Sequence, residues 1–233
     1  MKAVLLVLTN PSKSTSEDEF NARYDEHLRE ILAMPEYVGA TRYRSFPEFT
    51  NLAQRYLAFY ELEVRDREHL AAVAAEHRRR VVDGELCRPP DDDSVVRTMY
   101  YLERSPRRTT DNVVDAAPAG LFLAFAQPVS PTRDTDLNDW YDNVHLADVL
   151  DLPGFTAAQR FTSSGIDLTG EPWVTDAPYL AIYEHIHTNA ADYGAAFAKF
   201  GERIAAGTVK MTDAIAPGSL MAVYGRITDR IIG

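Results

Sequence analysis

Residues 138–161, NDWYDNVHLADVLDLPGFTAAQRF, bring Trp140, Tyr141 and His145 together in one short stretch. Tyr141 and His145 are four apart, so a helix would set both on one face. An imidazole takes or gives a proton near neutrality, and a tyrosine hydroxyl can orient it or donate to a developing oxyanion. Trp140 adds a flat surface. The three suit a pocket for a planar, mostly apolar molecule with a carbonyl group. The chemistry would be proton abstraction beside that carbonyl, leading to cyclisation, isomerisation or elimination. A hydrogen-bonded structural histidine beside Asp142 and Asp148 would satisfy the same pattern.

The motif occurs twice. Residues 21–43 read NARYDEHLREILAMPEYVGATRY, and His27 and His145 each stand eight residues before a proline, Pro35 and Pro153. Arg42 and Arg160 each follow that proline by seven. The first copy is one residue shorter between Asn21 and His27 than the second between Asn138 and His145. Tyr24 and His27 therefore define a second candidate pocket, though Arg23 stands where Trp140 stands in the second copy. Similarity at a spacing of about half the chain marks a duplicated structural unit.

The elements that must position these residues are also duplicated. VLLVLTNP (4–11) parallels LFLAFAQP (121–128), and YLAFYE (56–61) parallels YLAIYE (179–184). The two short apolar runs read as strands buried on both faces. Ser16 with Glu19 predicts a capping box, and Thr135 or Asp136 a second helix start. The prolines end both helices, and strands follow at 37–46 and 155–163. Alanine-rich helical patterns over 66–82 and 189–206 lead to closing strands at 94–102 and 218–227. The order in each copy is β-α-β-β-α-β, so the expected units are residues 1–103 and 120–233, joined by a linker at 104–119. The fold class is α+β. Two tandem ferredoxin-like repeats would bury their free sheet faces against each other as a pseudo-two-fold fused barrel, closed within one chain.

Other side chains join the candidates. Tyr179, Tyr183, His185 and His187 alternate along one strand and share a side. If that side faces the helices, His185 could meet His145 or Tyr141 across a pocket. His187 also suits a strand end emerging into solvent. His185 and His187 offer two imidazoles to a metal, but no third ligand is evident, so no metal is expected. Arg160 suits an anionic substrate group or a salt bridge to a strand acid such as Glu184. Trp173, in the long loop 163–178, could cover the pocket mouth. No phosphate-cradling or dinucleotide-binding glycine motif is present.

Composition narrows the classes. The net charge of −11 is no footprint for nucleic acid. A single cysteine rules out an intrachain disulfide and suits the cytoplasm. The apolar run MKAVLLVL is too short to span a membrane.

WYDNVHLADVLDLPGF, followed by AAQRF and the YLAIYE strand, resembles the dimeric α/β barrel superfamily, especially its EthD-like members. The resemblance covers both halves and is degraded in the first. It implies two ferredoxin-like units making one barrel, with ligands between a sheet and its own helices. It also implies a range of chemistry: cofactor-free cyclases, isomerases and lyases, quinone-forming monooxygenases, and haem proteins such as chlorite dismutases. The expected function is a cofactor-independent lyase, isomerase or cyclase acting on a small aromatic or polyketide-like carbonyl compound. His145, Tyr141 and His185 would be catalytic, with Trp140, Tyr183, Arg160 and Trp173 binding substrate. Cofactor-free oxygenation of a phenol, or non-catalytic binding of haem or another small molecule, are the alternatives. Larger homo-oligomers are compatible with a closed barrel.

Overall fold

The computed structural model describes residues 1–86, 96–110, 118–168 and 177–233. Its first half runs β1 (Lys2–Thr9), α1 (Glu17–Ile31), β2 (Tyr37–Ser45), β3 (Tyr56–Glu63), α2 (Arg67–Val82) and β4 (Arg97–Glu103). The second runs β6 (Gly120–Ala126), α3 (Asp134–Trp140), a π-turn (Tyr141–His145), α4 (Leu146–Leu150), β7 (Phe155–Ser163), β8 (Tyr179–His185), α5 (Ala190–Ala205) and β9 (Met221–Arg226). Two short strands were not visible as strands in the sequence. β5 (Arg108–Thr109) lies in the expected linker and pairs with β7, and β10 (Ile231–Ile232) pairs with β2. The strands run β2-β3-β1-β4-β7-β8-β6-β9, and β9 pairs back with β2. Eight antiparallel strands therefore close a barrel. Closure leaves no free edge among them.

Three apolar clusters follow from the alternation along each strand. Val4, Leu6, Leu57, Leu121, Leu123, Phe125, Leu180 and Tyr224 fill the barrel interior. Leu5, Tyr60 and Tyr100 face outward and pack on α1 and α2 through Phe20, Leu28 and Leu70. Phe122, Ala158 and Tyr183 do the same in the second half, under Leu137, Leu146, Val149 and Phe200.

The helix starts reflect local chemistry. Ser16 caps α1, its side chain accepting from the Glu19 amide at 3.2 Å. The second-half helix begins earlier than Thr135 or Asp136. A 3₁₀ turn at Pro131–Arg133 runs straight into α3, so no side-chain cap is needed at its first residue.

The one-residue length difference between the copies becomes the π-turn. From Tyr24 to His27 the helix α1 is regular, whereas the extra residue between Tyr141 and His145 is absorbed by i→i+5 geometry. The side chains end up alike. Tyr24 and His27 meet edge-to-face at 5.7 Å and 89°, Tyr141 and His145 at 5.0 Å and 88°.

Each half also clamps its first helix with a buried arginine. Arg160 is fully buried; its Nη2 donates to Asn138 Oδ1 at 2.7 Å and its Nη1 to Asp142 Oδ1 at 2.9 Å. Its guanidinium lies 4.6 Å from the Tyr141 ring. Arg42 repeats the arrangement: Nη2 to Asn21 Oδ1 at 2.8 Å, Asp25 at 3.5 Å, and Tyr24 at 4.6 Å. Arg160 thus joins β7 to the helix, while Glu184 takes Arg107 as its partner at 2.6 Å. Removing either arginine strands a carboxamide, buried Asn138 or half-buried Asn21, and uncouples an acid. We expect Arg160→Ala and Arg42→Ala each to cost about 3 kcal/mol, read from urea denaturation midpoints.

Candidate functional site

The second-half helices hold a continuous aromatic cluster against β6, β7 and β8. The His145 ring stacks on Trp140 at 4.3 Å and 17°, and meets Phe200 at 5.8 Å and Tyr183 at 6.4 Å. Trp140 is fixed in turn by its indole N–H, which donates to the Lys210 carbonyl at 2.6 Å. Tyr141 sits beneath Arg160 and edge-on to both Trp140 and His145. The sequence motif therefore does assemble as one group.

Electrostatics sharpen its character. Burial, and then the nearby Arg160 charge, pull the His145 pKa down to about 4, so its imidazole is neutral at pH 7. Burial pushes the Tyr141 hydroxyl up to about 12. Burial also raises Tyr183, which stays protonated. Three buried polar atoms here have no hydrogen-bond partner among the described residues: His145 Nδ1, Tyr183 Oη and Arg160 Nε. Such atoms are rare in folded proteins and point to a group that a bound molecule would satisfy.

The β8 stripe faces the helices, as its alternation allowed. Tyr179 and Tyr183 belong to the helix-side cluster, with the Tyr179 hydroxyl donating to Asp134 at 2.7 Å. His185, however, has no ring contact with His145 or Tyr141. Tyr183 comes first along the strand, and His185 meets Tyr193 at 5.2 Å, His187 at 5.6 Å, Phe155 at 6.1 Å and Phe46 at 6.3 Å. It is fully buried, with neither nitrogen hydrogen-bonded among the described residues. Gly120 makes room for it; a Cβ there would stand 2.6 Å from His185 Nε2. His187 Nε2 donates to the Pro153 carbonyl at 3.0 Å and rests on Gly154, whose φ of +79° lets the turn pass beneath the ring. Trp173 lies outside the described residues. Arg160 is committed to Asn138 and Asp142, so it holds the helix where a substrate anchor was expected.

Two features escaped the sequence. In the first half, the Tyr37 hydroxyl meets His77 Nδ1 at 2.8 Å and the Tyr100 hydroxyl at 2.6 Å, making a buried polar network behind Tyr24 and His27. His27 itself pairs with Glu30 at 3.8 Å. No repeat links these residues, so only tertiary structure reveals them. The second feature is a cleft of about 290 Å³ between α5, β6 and β9, lined by Phe49, Phe122, Tyr193, Phe197 and Val223.

Trp140 covers a face of His145 while Tyr141, Tyr183 and Phe200 crowd its edges, and His185 is enclosed by Gly120, Phe46, Phe155 and Tyr193. Among the described residues, no three His, Cys, Asp or Glu side chains converge as metal ligands. No helix among them is long and apolar enough to cross a membrane.

The fold has relatives of known structure. An anthrone oxidase-like protein superposes with a TM-score of 0.55 at 15% identity, covering 99% of this chain and 92% of the other. A protein named as a candidate monooxygenase from Fusobacterium nucleatum gives 0.53 at 9%, covering 100% and 95%. A chlorite dismutase variant from Candidatus Nitrospira defluvii gives 0.54 at 8%, covering 96% and 91%. The chain shares their α+β barrel fold. Comparison with family models and with curated protein sequences gave no match.

The buried histidines make stability depend on pH. His77 and His185 are held down to about 3 and His145 to about 4, in each case mainly by burial, against an ordinary 6.5. Below pH 6.5 the unfolded chain binds protons that the folded chain refuses until pH 3–4. Their contribution is therefore complete above pH 6.5 and is lost as pH falls. Between pH 7 and 5 the loss should be on the order of 1–2 kcal/mol per histidine, read from urea midpoints. His185→Leu should flatten the slope by its share.

Proposed function

We propose that this chain is a small-molecule enzyme working on a carbonyl-bearing aromatic compound by proton transfer at His145. The observation that carries the reading is a neutral imidazole on a π-turn, with unpartnered buried Nδ1, beside the unpartnered Tyr183 hydroxyl. π-turns inside helices are common at functional sites. A carbon acid beside a carbonyl would give its proton to His145, and its electron pair would pass to the carbonyl oxygen. The protonated Tyr183 would donate to that enolate oxygen; returning the proton to another carbon completes an isomerisation, whereas breaking the bond to a β-leaving group, which departs with that bond's electron pair and takes the proton from His145, completes an elimination. Trp140 and Tyr141 hold the imidazole plane, and Arg160 holds Tyr141. Haem and metal chemistry have no part in this reading.

The same evidence supports a duplicated ancestry: the strand orders β2-β3-β1-β4 and β7-β8-β6-β9 match, as do the two arginine clamps. On this view the first half, which holds the Tyr37–His77–Tyr100 network, is mainly scaffold. A second chemical reading, cofactor-free oxygenation of an electron-rich phenol, draws on the aromatic lining and on neighbours named anthrone oxidase-like and monooxygenase. It also starts from loss of a proton.

His145→Ala should lower turnover at least about 100-fold with an unchanged thermal melt, and Tyr183→Phe should lower it less. Wild-type turnover in His145→Ala removes the mechanism. An oxygen electrode run alongside separates the two chemistries: uptake stoichiometric with product selects oxygenation.

A further inference from the structure

The segment 46–51 between β2 and β3 belongs to the first half, yet it is fastened to the second. The Phe46 amide donates to the Val223 carbonyl at 2.7 Å, and the Asn51 amide to the Met221 carbonyl at 3.0 Å. Side chains complete the pairing. Thr50 Oγ1 donates to the Val223 carbonyl at 3.1 Å and accepts from its amide at 3.0 Å, and Asn51 Oδ1 accepts from the Met221 amide at 2.7 Å. This strap therefore runs along β9 almost as another strand, with a hydroxyl and a carboxamide substituting for backbone groups.

Its two phenylalanines are seated on glycines. A Cβ on Gly225 would stand 2.8 Å from the Phe46 ring, and one on Gly194 would stand 2.7 Å from Phe49. Gly194 lies inside helix α5, where glycine weakens a helix, so the socket is a reason for its presence. Phe49 then meets Tyr193 edge-to-face at 5.1 Å. Between the strap, the sheet and α5 remains the 290 Å³ cleft, with Phe49, Tyr193, Phe197 and Phe122 as walls and Val223 as floor. Glu48 and Asn51 stand among its lining residues.

We propose that this cleft binds the ring system of a planar, uncharged aromatic molecule, and that the strap's Phe49 and Glu48 determine what enters. Four aromatic rings offer edge and face contacts to a flat guest. The volume admits one or two fused rings. The Glu48 carboxylate, on a chain of net charge −11, disfavours an anion. The inference deepens the functional reading and rests on it in one respect, that the second-half sheet face receives the substrate. The cleft stops short of His145: Phe122 stacks on Tyr183 at 5.3 Å and 19°, and Tyr183 then faces the imidazole. A ring held here is the remote end of a substrate whose reacting carbon lies beyond that stack. The first half would thus supply a specificity wall for chemistry performed in the second.

The test is direct binding of 1-naphthol to the full chain, followed by calorimetry and by ligand NMR line broadening, with 1-naphthoate as the charged comparison. Wild type should bind 1-naphthol and bind 1-naphthoate at least about tenfold more weakly. Phe49→Ala and Gly194→Leu should each weaken 1-naphthol about tenfold or more, the first by removing a wall and the second by displacing it. Val223→Phe, which fills the cleft and keeps the backbone groups that bond Phe46 and Thr50, should abolish binding with a cooperative melt retained. Glu48→Gln should narrow the gap between the two probes. Absence of 1-naphthol binding to wild type, or unchanged affinity in both Phe49→Ala and Val223→Phe, overturns the proposal. If binding follows this pattern while His145→Ala keeps full turnover, the cleft stands and the proton-transfer mechanism falls.

Discussion

The buried guanidinium of Arg160 is the contact on which the second-half site depends. A charge taken fully out of water is tolerable only when its donors are met, and Asn138 and Asp142 meet two of them from one helix while the arginine itself belongs to β7. Helix and strand are thereby locked in rotation as well as distance. Tyr141 is caught between, under the guanidinium, and it in turn borders His145. The same positive charge adds to burial in keeping the imidazole neutral. One ion therefore helps to position the histidine and adds to the burial that keeps it neutral.

That dependence explains how the two halves differ while sharing a clamp. Arg42, Asn21 and Asp25 reproduce the fastening, and Tyr24 and His27 reproduce the edge-to-face pair. With Tyr and Asp held by the clamp, an extra residue before the histidine cannot be absorbed by rotating the helix. It bulges instead into the π-turn, and the Tyr–His geometry survives. Trp140 then stacks on His145, a contact that Arg23 has no ring to make. The second half gains an enclosed aromatic cage around its imidazole from one insertion and one tryptophan.

Much of this was legible in the residues. The proline and arginine spacings located helices and strands to within a few residues, because strands buried on both faces and amphipathic helices impose patterns that recur in both halves of the sequence. Direction across the sheet was less legible. Alternation correctly grouped Tyr183 with His185, but strand spacing alone does not say how far along the sheet a helix reaches, so His185 fell beside Tyr193 and away from His145. Arg160 read as an anion anchor or as the partner of a strand acid such as Glu184, and the structure ties it to Asn138 and Asp142 instead, because spacing does not say which element a long side chain will reach. The Tyr37–His77–Tyr100 network joins three elements with no sequence pattern in common, and was invisible for that reason.

The strap was hidden by a different cause. Residues 46–51 carry a proline, an asparagine and a threonine, the composition of an ordinary loop, and nothing in them names the strand they will accompany. Only barrel closure brings β9 beside β2, and with it a first-half loop beside a second-half helix. Closure thus does more than bury two sheet faces. It makes each half a neighbour of the other's helix layer, so a first half without an aromatic cage of its own still shapes the surface next to the half that has one. The two halves can differ in their chemistry, but the strands and straps where they meet remain under the constraint of fitting.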